Sequence, residues 1–125
     1  MSADAPDYLI QYVVLRTDLK DAKGKCWPQG ALIAQACHAT VAVCHQNYDD
    51  ESVQAYLKDV DNMHKCVLGI ENEEKLRALA QTLAANNVKH KLWIEQPEGY
   101  ATCLAASPCK KSLVSALFKG LKLLK

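Results

Sequence analysis

Three observations predict an α/β protein, a three-layer α/β/α arrangement around a four-stranded mixed sheet. Short β-branched and aromatic runs alternate with longer stretches of helical period, an order that places helices on both faces of a sheet. The last two such runs, residues 88–95 and 100–106, are separated only by Gln96-Pro97-Glu98-Gly99, a turn that joins antiparallel neighbours and makes the sheet mixed. The chain has 125 residues, half of them hydrophobic and 23% charged. That suits one domain over residues 1–125, able to bury about two-thirds of its unfolded surface.

Residues 8–15, YLIQYVVL, read as a buried strand because β-branched and aromatic residues run into a continuous apolar end. Residues 1–7 before it are expected to be a flexible N-terminus. Residues 16–25, RTDLKDAKGK, are polar with a Lys-Gly-Lys turn and form a loop. Pro28 suits a first helical position, where its missing donor goes unused, and opens a helix to about residue 47. That helix is apolar almost all round, as expected for one pressed between a sheet and other elements. Gln35, His38 and His45 interrupt it, read as a single stripe.

Residues 50–62 form a second helix, with acidic residues in the first turn and Val53, Tyr56, Leu57 and Val60 at helical spacing. Residues 64–70, HKCVLGI, are the next strand. Asn72 caps a helix to about residue 86 whose apolar face is Leu76, Leu79, Ala80 and Leu83. After the two final strands, Ser107-Pro108 starts a last helix with Leu113, Val114, Leu117 and Phe118 inward, ending at Gly120. LKLLK is the tail.

Composition narrows the function classes. The net charge of +1 neither requires nor forbids a nucleic-acid partner, since local patches decide that. No apolar run approaches the ~20 residues that span a bilayer, so no membrane association is expected. The opening MSADAPDYL is acidic and lacks an apolar core, unlike a signal or transit peptide. Six cysteines, at 26, 37, 44, 66, 103 and 109, form no CxxC pair. They read as small buried hydrophobes of a cytoplasmic protein with reduced thiols. Cys37-His38 and Cys44-His45 are seven residues apart, about 10 Å along a helix at 1.5 Å per residue, too far to share one ion. No metal site is expected.

The polar groups that would meet, if the first strand, the long helix and the last two strands are neighbours, are the 16–25 loop, Gln35, His38, Glu95 and Thr102. Ligands of open α/β sheets favour crevices beside strand ends and helix N-termini. Each residue also has an ordinary use: His38 as a hydrogen-bonded core histidine, Glu95 as a solvated carboxylate, Thr102 as a strand former, Lys25 as a loop lysine. Trp27 either packs on the helix start or stacks on a nucleobase. Arg16, Lys20, Lys23 and Lys25 gather before the helix, while Lys110, Lys111, Lys119, Lys122 and Lys125 mark the C-terminal region. Both sets read as a solvated surface or a phosphate track.

The strings VVLRTDLK, KGK and IAQACHA resemble the opening of the type 2 peptidyl-tRNA hydrolases, VVRxDLKMGKGKxAAQxxHA. KCVLGIENEEKLRALAQTLAANN resembles that family's second strand and its helix, and TCLAASP its TVLAIGP strand. CWPQGAL and the short EQPEG turn look closest to the eukaryotic branch of peptidyl-tRNA hydrolase domain-containing proteins. The resemblance implies hydrolysis of the ester joining peptide to the terminal ribose of tRNA, with no metal or other cofactor. Its partner would be peptidyl-tRNA, with a homodimer possible because the family often forms one. It also implies a catalytic set of Glu95, Thr102, His38, Gln35 and Lys25, with Arg16, Asp18, Lys20, Lys23 and Trp27 on the substrate-binding side. Glu95 matches the family's aspartate. An ungapped alignment sets Ala31 at the family's lysine; keeping Lys23-Gly24-Lys25 as the KGK motif makes residues 26–32 an insertion and Lys25 the counterpart. The missing lysine leaves a second reading open, a tRNA- or protein-binding module on the same fold.

Overall fold

The structure, a computed structural model, describes residues 7–125. Of the N-terminal stretch expected to be flexible, residues 1–6 lie outside the described residues. Asp7 accepts hydrogen bonds from the Ser112 backbone N–H at 3.0 Å and from its hydroxyl at 2.5 Å.

The first strand, β1 (Leu9–Arg16), is buried along nearly its whole length because it lies at the centre of the sheet, where both faces are covered. Helices α1 (Gln29–Gln46) and α2 (Glu51–Lys58) follow, then a 3₁₀ turn at Val60–Asn62 and β2 (Lys65–Ile70). Beyond them come α3 (Glu73–Ala85), β3 (His90–Glu95), β4 (Tyr100–Ala106), β5 (Cys109–Lys110), α4 (Lys111–Val114), a 3₁₀ turn at Ser115–Phe118 and β6 (Lys122–Leu123). The sheet order is β3-β4-β1-β2-β6, with β5 pairing the start of β1. β1 and β2 are parallel, while β4 runs antiparallel to both β1 and β3. The sheet is therefore mixed as expected, but six-stranded instead of four.

Alternation along β1 divides the core into two layers. Ile10, Tyr12 and Val14 face Leu76 and Leu83 of α3 and Phe118. Val13 and Leu15 face Ala39 and Val43 of α1. The caps follow the sequence: Asn72 accepts from the Lys75 N–H at 2.9 Å and Asp50 from the Ser52 N–H at 2.8 Å.

Two expectations need correction. The long helix is not enclosed: α1 buries only Gln35, Ala39 and Val43, and Ile33 and Val41 on its outer side are 55% and 69% exposed. His45 lies only about 20° round the helix from His38, so the three polar residues share a stripe, but seven residues carry it about 10 Å farther along the axis, where it lines a different cavity from Gln35 and His38. The long final helix over 107–120 is also absent. Ser107 and Pro108 are buried in extended chain, and only the short α4 and the 3₁₀ turn follow. Gly120 then adopts φ 96°, a left-handed bend suited to glycine, and turns the tail onto β2. Val114 and Phe118 are buried as expected, while Leu113 is 71% exposed.

No helix of the described residues is long and apolar enough to cross a membrane. Among the same residues no three His, Cys, Asp or Glu side chains converge as a metal site requires.

Candidate active site

The cleft lies where the N-terminal half of α1 crosses the ends of β3 and β4. Its centre is Gln35, 2% exposed, a buried amide whose hydrogen-bonding groups must all find partners. The Gln35 Nε2 donates to Glu95 Oε2 at 3.0 Å and to the Ala31 carbonyl at 3.3 Å. Its Oε1 accepts from the Thr102 hydroxyl at 2.7 Å. The other oxygen of Glu95, Oε1, accepts from the Trp93 indole N–H at 3.0 Å. These bonds form a chain, Thr102–Gln35–Glu95–Trp93, and the His38 ring stacks on Trp93 with centroids 4.7 Å apart and planes 17° from parallel.

Strand geometry explains how the four side chains meet. Trp93 and Glu95 are two residues apart on β3 and so point to one face, the face of α1. Thr102 reaches that face only because the β3–β4 register shifts: Trp93 pairs Cys103, but Ile94 pairs Ala101. Thr102 is the extra residue of a β-bulge. Without it, strict alternation would turn Thr102 to the opposite side with Leu104 and Ala106.

The electrostatics favour an ionised Glu95. Hydrogen bonds from Trp93 and then Gln35 hold its carboxyl below the ordinary glutamate value, with nearby His38 helping and partial burial opposing. The cleft encloses about 450 Å³, lined by Trp27, Pro28, Ala31, Ala34, Gln35, His38, Glu95, Asp21 and Glu98. Three carboxylates and no lysine or arginine therefore face it. Its positive feature is the start of α1, where Pro28 provides no side-chain cap and no acidic residue sits in the first turn. The backbone N–H groups of Gln29, Gly30 and Ala31 donate to no protein group among the described residues. Free N–H groups at the positive end of an 18-residue helix attract anionic oxygens.

The structure brings Gln35, Glu95, Thr102 and His38 together and puts Trp27 on the rim, its ring 6.2 Å from that of Tyr100. Thr102 is fully buried and meets the cleft only through the Gln35 amide. Lys25 is not brought in. Residues 20–26 close as a small hairpin, with Lys20 bridged to Cys26 and the Asp21 carboxylate accepting the backbone N–H groups of Lys23 and Lys25. The Lys25 side chain is exposed and makes no ion pair with Glu95 among the described residues. Arg16 and Asp18 are occupied with one another at 2.8 Å. Arg16 also donates to the Ala101 carbonyl at 2.8 Å and lies 5.5 Å from the Tyr100 ring centroid, bracing β4 against β1. Sequence reasoning missed Trp93, which touches both Glu95 and His38. Its place two residues before Glu95 on a strand was the available signal.

This geometry can be set beside known proteins. A mouse protein named "Putative peptidyl-tRNA hydrolase PTRHD1" is 47% identical over 120 residues, covering 96% of this chain and 85% of its own. The human protein of the same name is 45% identical over 124 residues, covering 99% and 88%. A Methanococcus maripaludis protein named peptidyl-tRNA hydrolase is 29% identical, covering 91% of this chain and 97% of its own. In fold, a solved Agrobacterium tumefaciens structure titled as a protein of unknown function, Atu0240, superposes with a TM-score of 0.63 at 14% identity. That match covers 94% of this chain and 98% of the other. The family profile "Peptidyl-tRNA hydrolase PTH2" matches residues 9–124. Spanning every element from β1 to β6, that match means the chain belongs to the PTH2 peptidyl-tRNA hydrolase family.

Proposed function

We propose that this chain hydrolyses peptidyl-tRNA, releasing peptide and tRNA by attack of water on the ester carbonyl at the terminal ribose. The observation that supports it best is Glu95, ionised at the cleft with one oxygen held by Gln35 and the other by Trp93. A carboxylate fixed in this way positions a water and takes its proton as the water oxygen bonds to the carbonyl carbon. The carbonyl oxygen gains negative charge, which the free N–H groups at the start of α1 are suited to receive. Collapse of the intermediate breaks the bond to the ribose oxygen, and the proton held by Glu95 passes to that oxygen. Gln35 orients the base, Thr102 is a positioning residue acting through Gln35, and His38 secures the Trp93 indole by stacking.

Lys20, Lys23 and Lys25 are exposed on the hairpin whose Asp21 lines the cleft. In this reading they contact tRNA phosphates near the mouth, outside the acidic interior. Trp27, on the rim of the cleft, stacks on the terminal base in the same reading. A substrate made during translation is consistent with a cytoplasmic setting.

The test is turnover of an N-acetyl-aminoacyl-tRNA by the purified chain. Wild type releases free tRNA, and Glu95→Gln lowers the rate about 100-fold, the scale of losing a general base, with an unchanged circular dichroism spectrum. Equal turnover in the variant overturns the role of Glu95. One observation favours a second reading, binding without turnover: no lysine or arginine lines the cleft. Salt-sensitive tRNA binding with no product at stoichiometric enzyme would select it.

A further inference from the structure

The C-terminal half of α1 forms part of a second groove, whose chemistry the hydrolase reading leaves unused. Its walls include Val41, Tyr48, Leu57 and Met63, of which Val41, Tyr48 and Met63 are 69%, 59% and 38% exposed. The groove encloses about 430 Å³, and no aspartate or glutamate lines it. At its floor Lys65 Nζ donates to Gln11 Oε1 at 2.5 Å and to Tyr56 Oη at 3.2 Å. Both acceptors are held in place. Gln11 is fully buried and gives its amide to Cys44 Sγ at 3.7 Å, and Tyr56 donates to the His64 carbonyl at 2.9 Å.

Lys65 has no ion-pair partner among the described residues. Burial pulls its pKa below the ordinary lysine value. Lys65 is exposed as a residue at the start of β2, but its ammonium is fixed at the groove by two neutral oxygens and by the Tyr56 ring, 5.1 Å from Nζ, with no carboxylate to balance its charge. The protein thus supplies one oriented cation, two dipoles that fix it, and an apolar trough leading away from it.

We propose that this groove binds a small amphipathic acid, its carboxylate on Lys65 and its apolar body along Val41, Tyr48 and Met63. The charge pattern selects this occupant. A neutral apolar ligand leaves Lys65 unpaired, and so does a second copy seated by two-fold symmetry, because the same patch offers no carboxylate in return. The groove is independent of the hydrolase cleft: Cys44 lies nine residues beyond Gln35, about 13 Å along the helix at 1.5 Å per residue.

Two-dimensional NMR of the full chain, titrated separately with octanoate, 1-octanol and acetate, tests this. Octanoate should give saturable shifts confined to Val41, Cys44, Tyr48, Met63 and their neighbours. 1-Octanol and acetate should each bind at least about tenfold more weakly, the scale of one lost charged hydrogen bond or one lost apolar body. Lys65→Met should lower octanoate affinity by a similar factor. The wild-type comparison stands even if that variant unfolds. Equal affinity for octanoate and 1-octanol overturns the proposal, as does absence of saturable shifts. Shifts that follow protein concentration instead of ligand would assign the groove to a second copy and overturn it as well.

Discussion

Gln35 carries the polar order of the cleft, because one buried amide joins a β4 hydroxyl to a β3 carboxylate. Its identity stood out in the sequence as an amide in an apolar helix, and Glu95 as a carboxylate closing a strand. The bonds between them were not readable, since they depend on how α1 lies across the sheet. Replacing Thr102 with Val keeps the shape but leaves Gln35 Oε1 without a donor, a cost of about 1–3 kcal/mol for a buried unsatisfied acceptor. Denaturant unfolding should register that loss. In the proposed reaction kcat should fall several-fold with KM little changed, and Thr102→Ser should recover both. A Thr102→Val protein as stable and active as wild type would remove the relay from consideration. Cys103 offers an independent check at this scale: burial pushes its thiol up to about 12. It should resist alkylation in the folded protein while exposed Cys26 and Cys37 are labelled, as mass spectrometry of the digested chain would read.

Among the elements, the strands and caps that were legible have strong local causes: a β-branched run at β1, Asn72 and Asp50 as side-chain caps, a compact turn between β3 and β4. Those that were misread depend on distant chain. β5 and β6 have two residues each, too short for any period, and exist because free backbone edges of β1 and β2 accept them. The bulge at Thr102 is of the same kind. β2 also carries a packing constraint at Gly69, where an added Cβ would lie 2.9 Å from the Thr17 methyl and 3.4 Å from a Leu124 methyl. Gly69→Ala should therefore destabilise by about 1–3 kcal/mol, as overpacking does. Thr17→Ser, which removes the methyl but keeps the hydroxyl that donates to the Ile70 carbonyl, should recover much of it in the double variant. Chemical denaturation of the four proteins closes the cycle, and additive losses would place the strain elsewhere.

On the scale of the whole molecule, carboxylates tie the layers together, and this sets the response to acid. Glu73 accepts the Ala101 backbone N–H at 3.0 Å, the chief cause of its lowered pKa, with Arg77 and Arg16 adding to it. Lys89 lowers Asp50 by a hydrogen bond at 2.7 Å, and Glu95 is lowered by Trp93 and Gln35. A carboxylate held low in the fold takes up its proton later than in the unfolded chain. Its contribution is complete above the ordinary value and is lost as pH falls through the folded one. Stability should therefore be level from neutral pH to the ordinary glutamate value of 4.5 and decline below it. Glu95→Gln should reduce the steepness of that decline. Thermal unfolding followed by circular dichroism down to about pH 3 would measure both, and a stability maximum below pH 4.5 would contradict the assignment.

The sequence by itself determined the α/β class, the mixed sheet, the two-sided helical packing and the family. Each rests on local periodicity, on capping residues or on motifs read in order along the chain. It also named Gln35, His38, Glu95 and Thr102 as residues that would meet. The tertiary structure alone decided how they meet. A one-residue register shift turned Thr102 toward Gln35, the path of the 20–26 hairpin kept Lys25 out of the cleft, and Arg16 was claimed by Asp18 and β4. Register, hairpin path and pairing are contests between groups far apart in the chain, settled only once the backbone edges and the two core layers are in place.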